Sequence, residues 1–171
     1  GVMPPQPVGI WEHPYLGDLW KESKGEDKYR RAIYTYLKRT SPYPSFITFD
    51  GSSREICLVR RMPSNTPLQA LVTMNDPVYI EAAFNLAKLN EEESINSSIK
   101  KMYKSAIYKE IEPKILSNLL SLYNKANDEF LKDNLKLKDF FNLGNKIDLK
   151  LASLSIVANA IMNLDEFLTH G

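Results

Sequence analysis

Cysteine is almost missing from this sequence. The 171 residues include one, Cys57, and a single thiol cannot build an internal disulfide framework. That leaves the compartment open, because exported chains need not carry disulfides. Histidine is nearly as scarce: His13 and His170 are the only two, and both lie in terminal arms. With no His/Cys cluster and no HExxH, the chain is expected to hold no metal. With no CxxCH it attaches no haem covalently, so no cofactor is expected. GxSxG, P-loop and GxGxxG patterns are absent as well. No apolar run reaches the about 18–20 residues that span a bilayer. Net charge is only +1, so no global field draws the chain to nucleic acid or an anionic membrane. Gly1-Val2-Met3-Pro4-Pro5 does not have the pattern of a signal peptide and reads as a cut edge rather than a natural start.

The rest of the composition is that of a globular protein, 43% hydrophobic and 25% charged. The length suits one domain with a core, or one domain plus an arm. Residues 1–25 read as the arm. Pro4, Pro5, Pro7 and Pro14 deny it a helix, while Trp11, Tyr15, Leu16 and Trp20 need a surface to lie on. Residues 26–171 then read as a single all-α domain of about six helices in an irregular bundle, with no convincing pair of alternating strands.

The pattern predicts a first helix over 26–40, with Tyr29, Ile33, Tyr36 and Leu37 on one face. Two prolines break it, and Asp50-Gly51 signals a turn. "EICLVRR" could be a short strand or an irregular pass. The clearest local signal is Thr66-Pro67-Leu68-Gln69, a capping box with proline at the first helical position. It opens a helix over 66–74. Pro77 disfavours helical geometry at Asp76, which makes Asp76 the N-cap of a second helix over 77–90. Glu91-Glu92-Glu93 reads as a solvated link. Ile95, Ile99, Met102 and Ala106 stripe a helix over 94–109, and Pro113 starts a long one. Phe140 and Phe141 mark a short helix. The last helix opens at Asp148 and is apolar almost all round, so it belongs in the centre. Asn159 and Asn163 interrupt its face, one turn apart.

All six arginines fall within residues 30–61, while the other sixteen basic residues are lysines spread along the chain. Arginine's planar fork suits bidentate pairing with carboxylate or phosphate. Arg31, Arg54, Arg60 and Arg61 are therefore candidate binding residues, for acidic sugars, sulfate or a carboxylate. The alternative is internal pairing with Asp50, Glu55, Asp76 or Glu81, the commoner state of buried arginine. Gln69, Asn75 and Asp76 are candidate binding groups too, although capping already employs Gln69 and Asp76. Cys57 lies near Arg54 and Arg60, whose charge would lower a thiol pKa. Packing is its simpler role. Asp165 and Glu166 are adjacent carboxylates, but adjacent helix residues diverge by roughly 100°. No residue can be named as catalytic.

The segments "YRRAIYTYLKRTSPYPSFITFD", "REICLVRRMPSNTPLQALVTMNDP" and "ANAIMNLDEFLTHG" resemble the C-terminal part of the DUF1553 (PSD1) domain. The resemblance covers the first 90 residues and the last 15–20; the middle, about 91–147, shows no recognisable motif. It implies a piece of an exported multidomain protein of the planctomycete and Bacteroidetes type, with DUF1549 and cytochrome-c-like domains upstream and a place in the periplasm, on the outer membrane or outside the cell. A non-catalytic accessory module in redox or polysaccharide processing fits that context. So do part of an active site completed by the upstream domain, and a stand-alone glycan- or anion-binding domain.

Overall fold

The computed structural model describes residues 1–6, 9, 20–38, 41–52, 59, 64–132 and 148–169. The chain divides into two compact units, Gly1–Ser64 and Asn65–Gly171. Among the described residues the secondary structure is helical. Those residues form no sheet, only an isolated parallel bridge between Val2 and Thr35. The expected all-α class is what the chain adopts, packed irregularly.

In the first unit the proline-rich arm is tied down by side-chain donors. Trp20 Nε1 donates to the Pro4 carbonyl at 2.9 Å, and the Tyr43 hydroxyl to the Pro5 carbonyl at 2.9 Å. Outside a helix or sheet a backbone carbonyl still needs a donor, and these side chains supply it. The Trp20 and Tyr43 rings stack at 5.9 Å. Helix α1 (Pro44–Thr48) is followed by a turn at Asp50, which has φ 55, and Gly51. A Cβ at Gly51 would sit 2.6 Å from the Phe46 carbonyl oxygen, so the turn signal at Asp50-Gly51 reflects a steric requirement.

The helix expected over 26–40 does not form. Two short 3-10 turns, Gly25–Tyr29 and Ala32–Tyr34, stand in its place, with Arg30 and Arg31 extended between them. The arm explains the difference. Val2 N donates to the Tyr34 carbonyl and Tyr36 N to the Val2 carbonyl, both at 2.8 Å. Those backbone groups are then withdrawn from any helical ladder. Tyr29, Ile33 and Tyr36, the face expected to be buried, are exposed.

The second unit holds α2 (Pro67–Asn75), α3 (Pro77–Leu89), α4 (Ile95–Ile107), α5 (Pro113–Lys132), α6 (Leu149–Met162) and α7 (Asp165–Leu168). Helix α6 is central, as its all-round apolar sequence requires. It packs on α2, α3, α4, α5 and α7, most extensively on α3. Ala83 and Ala87 of α3 are buried, as are Ala152 and Ala158 of α6; small side chains let helix backbones approach closely. Ile99, Met102, Leu154, Val157 and Ile161 fill the core. Asp148 is the N-cap of α6 by backbone position but makes no side-chain cap bond. The apolar run also stops earlier than its composition suggests, at Met162, and α7 follows as a separate turn.

The Glu91–Glu93 link is held at its middle residue. Glu92 N donates to Ser98 Oγ at 2.9 Å, and Lys150 Nζ donates to the Glu92 carbonyl at 2.6 Å. The short helix expected around Phe140 lies outside the described residues. No described helix is long and apolar enough to cross a membrane.

Thr66 and Gln69 form the expected capping box. Gln69 N donates to Thr66 Oγ1 at 3.3 Å, and Thr66 N donates to Gln69 Oε1 at 2.8 Å. Thr66→Ala removes one half of it and should lower stability by about 0.5–2 kcal/mol, read as a shifted denaturation midpoint at unchanged slope.

Candidate functional site

The corner between α2 and α3 is built on one residue. Asp76 takes φ −70 and ψ 129, the extended geometry that a following proline requires. Its N–H donates to the Val72 carbonyl at 2.8 Å, closing α2, and its Oδ1 accepts from Val78 N at 2.8 Å, opening α3. Asn75 is exposed and turns its amide back to the Leu71 carbonyl at 2.8 Å. Gln69 is 1% exposed and sits within the capping box.

Beside this corner runs a polar seam, buried at Thr73 and half-buried at Asn159 and Asn163. Thr73, fully buried, lies one turn after Gln69 on the same face. Its hydroxyl meets Asn163 Oδ1 of the segment following α6, with the Gln69 carbonyl 3.0 Å away. The Thr73 carbonyl is one of the last four of α2, which lack partners inside the helix. Asn159 Nδ2 of α6 supplies that partner at 2.9 Å, and Asn163 Nδ2 donates to the Asn159 carbonyl at 3.0 Å. Asn159 thus caps the C-terminal turn of α2 from across the interface, and Asn163 accepts from the Thr73 hydroxyl and braces Asn159.

The sequence singled out the two asparagines and the caps but not Thr73. A signal for it existed in the spacing, since Gln69 and Thr73 are polar at i and i+4 opposite Leu68, Leu71 and Met74. Helix α2 is inverted: its polar stripe faces the core, while Leu68, Leu71 and Met74 are each at least half exposed.

A second polar contact joins α4 to α7, from buried Tyr103 to exposed Glu166. The Tyr103 hydroxyl donates to Glu166 Oε2 at 2.6 Å. Asp165 instead accepts from Asn65 Nδ2 at 2.8 Å, so the adjacent carboxylates serve different partners. Burial first, and then the Glu166 carboxylate, pushes the Tyr103 phenol up to about 12. Burial and Asp148 also raise Tyr123. Each phenol stays protonated in the folded chain above its usual value of 10.0 but ionises once the chain unfolds. The unfolded state then binds fewer protons, so stability should fall as pH rises from the usual value toward about 12. Denaturation midpoints across that range should show the decline, and Tyr103→Phe should flatten part of it.

Near α7 an open cavity of about 490 Å³ is lined by Leu86, Ser105, Ala106, Tyr108, Met162 and Phe167. Tyr108 ends α4 in the left-handed region, at φ 62, where glycine or asparagine is usual.

Of the arginines, Arg31 is exposed, at the N-cap of the Ala32–Tyr34 turn. Arg54, Arg60 and Arg61 lie outside the described residues, as do Cys57, His13 and His170. Arg31 therefore stands in the first unit, and Gln69, Asn75 and Asp76 in the second. Among the described residues, no three His, Cys, Asp or Glu are grouped as metal ligands. Gln69 Oε1 and Asp76 Oδ1 each accept from a backbone N–H group, so both side chains hold helix ends at this corner.

A family model described as PSD1, protein of unknown function (DUF1553), matches residues 1–123. The match runs through the first unit, the α2–α3 corner and α4 into α5. No curated protein and no solved structure matches the chain.

Proposed function

We propose that this chain, which belongs to the PSD1 (DUF1553) family, is a non-catalytic accessory module that docks on another domain of the same polypeptide. The inversion of α2 carries the reading. Gln69, Thr73 and Asp76 face other groups of their own fold. Leu68, Leu71 and Met74 form an apolar stripe pointing outward, where a neighbouring domain would cover it. The wider setting rests on the family resemblance alone. It is an exported multidomain protein, periplasmic, outer-membrane-associated or extracellular, with DUF1549 and cytochrome-c-like domains upstream and work in redox or polysaccharide processing.

The test compares the parent polypeptide with the isolated chain in redox and glycan-turnover assays. Proteolysis of the parent with and without Leu71→Asp reports on docking. The expected result is no turnover by the isolated chain and faster cleavage of the Leu71→Asp parent between domains. Turnover by the isolated chain, or a cleavage pattern that Leu71→Asp leaves unchanged, overturns the reading.

A further inference from the structure

The segment 29–36 of the first unit presents a second outward surface, of different chemistry. Residues 29–34 are exposed without a break, and Ile33 is 78% exposed. The backbone is not free to turn these side chains in, because Val2 pairs on both sides of Thr35 at 2.8 Å. Three tyrosines, Tyr29, Tyr34 and Tyr36, stand out beside Ile33. Between them Arg30 and Arg31 are held extended. Arg30 reaches Asp27 at 3.0 Å in an exposed pair, and no ion pair is seen for Arg31 among the described residues.

The surrounding stretch is cationic. Residues 21–38 hold six basic and three acidic side chains, against a net charge of +1 for the whole chain. Exposed tyrosine and arginine around a protruding aliphatic group make the composition of a protein interface centre. A nucleic acid fits less well: the most exposed large hydrophobic of the ridge, Ile33, has no role on a phosphate backbone.

We propose that the ridge 29–36 docks on an acidic protein surface, with carboxylates to meet Arg30 and Arg31 and an apolar recess to take Ile33 and Tyr34. The inference rests on the accessory-module reading, and the partner is the neighbouring domain of the same polypeptide.

The test uses the full parent polypeptide with a photoreactive p-benzoylphenylalanine placed at Ile33, and separately at Leu71. Adducts are mapped by mass spectrometry. Position 33 should cross-link to an Asp- or Glu-rich surface of the upstream domain. Arg30→Glu with Arg31→Glu should cut that yield by about tenfold, and about 0.3 M salt should weaken it as well. Adducts from position 71 but none from position 33 overturn this inference and leave the docking reading standing. Adducts from neither position overturn both. Adducts from position 33 to nucleic acid, to a second copy or only within this chain overturn the proposal, as does a yield indifferent to the arginine substitutions.

Discussion

Leu154→Ala is expected to destabilise the second unit by about 2–5 kcal/mol. Leu154 is completely buried at the centre of α6, and α6 is the helix that the other helices of the unit share. The size of the loss depends on how far the surroundings can close on the space left behind. Here they are held from several sides. Asn159 ties α6 to the end of α2, Lys150 ties its first turn to Glu92, and buried alanines already bring α3 close. Little room for collapse places the expected cost in the upper part of the range. A domain of this size has about 5–15 kcal/mol in all, so the variant should unfold at a much lower denaturant concentration. Leu131→Ala is the control. It removes the same atoms from an exposed position on α5 and should stay within about 0.5 kcal/mol of the parent. Equal effects from the two substitutions would mean that α6 is not the centre of the unit.

Much of this core was legible because single residues spoke for themselves. Pro67, Pro77 and Pro113 each mark the first residue of a helix. Thr66 and Gln69 form their capping box in a pattern only three residues wide. A helix apolar on every side, such as α6, has nowhere to go but the middle. What failed to read through was anything decided by a distant segment. Tyr29, Ile33 and Tyr36 have helical spacing, yet Val2 takes the backbone groups that a helix over 26–40 would have used. Leu68, Leu71 and Met74 have the spacing of a buried stripe, yet α2 turns Gln69 and Thr73 inward, because Asn159 and Asn163 wait there. Local periodicity identifies a helix and its two faces. Which face goes inside is settled by the partner, and α6 lies some 80–90 residues further along the chain. The candidate site divides the same way. The capping roles of Gln69 and Asp76 were visible beforehand, while Tyr103 and Glu166, 63 residues apart, carry no joint signal.

The seam supplies the sharper test of what the α2–α3 corner is for. Thr73→Val keeps the shape of the side chain and removes its hydroxyl, leaving Asn163 Oδ1 facing a methyl group. An unsatisfied buried polar group costs about 1–3 kcal/mol. Asn159→Leu acts on the same turn from the other side by removing the donor to the Thr73 carbonyl, and should cost about as much. The expected distinction is in the combinations. Thr73→Val with Asn163→Leu removes both ends of one contact, so the double variant should be more stable than the two single losses added together, by about 0.5–3 kcal/mol. Thr73→Val with Leu131→Ala joins sites with no shared contact, and those losses should simply add. Chemical denaturation of the four single and two double variants measures every term. If Thr73 and Asn163 instead form a site kept for a ligand, their removal should leave stability unchanged or improve it, since function-bearing polar groups are commonly held at a cost to the fold. A stable Thr73→Val chain whose parent polypeptide loses activity would give the corner to function. A destabilised one, with coupling to Asn163, gives it to the architecture.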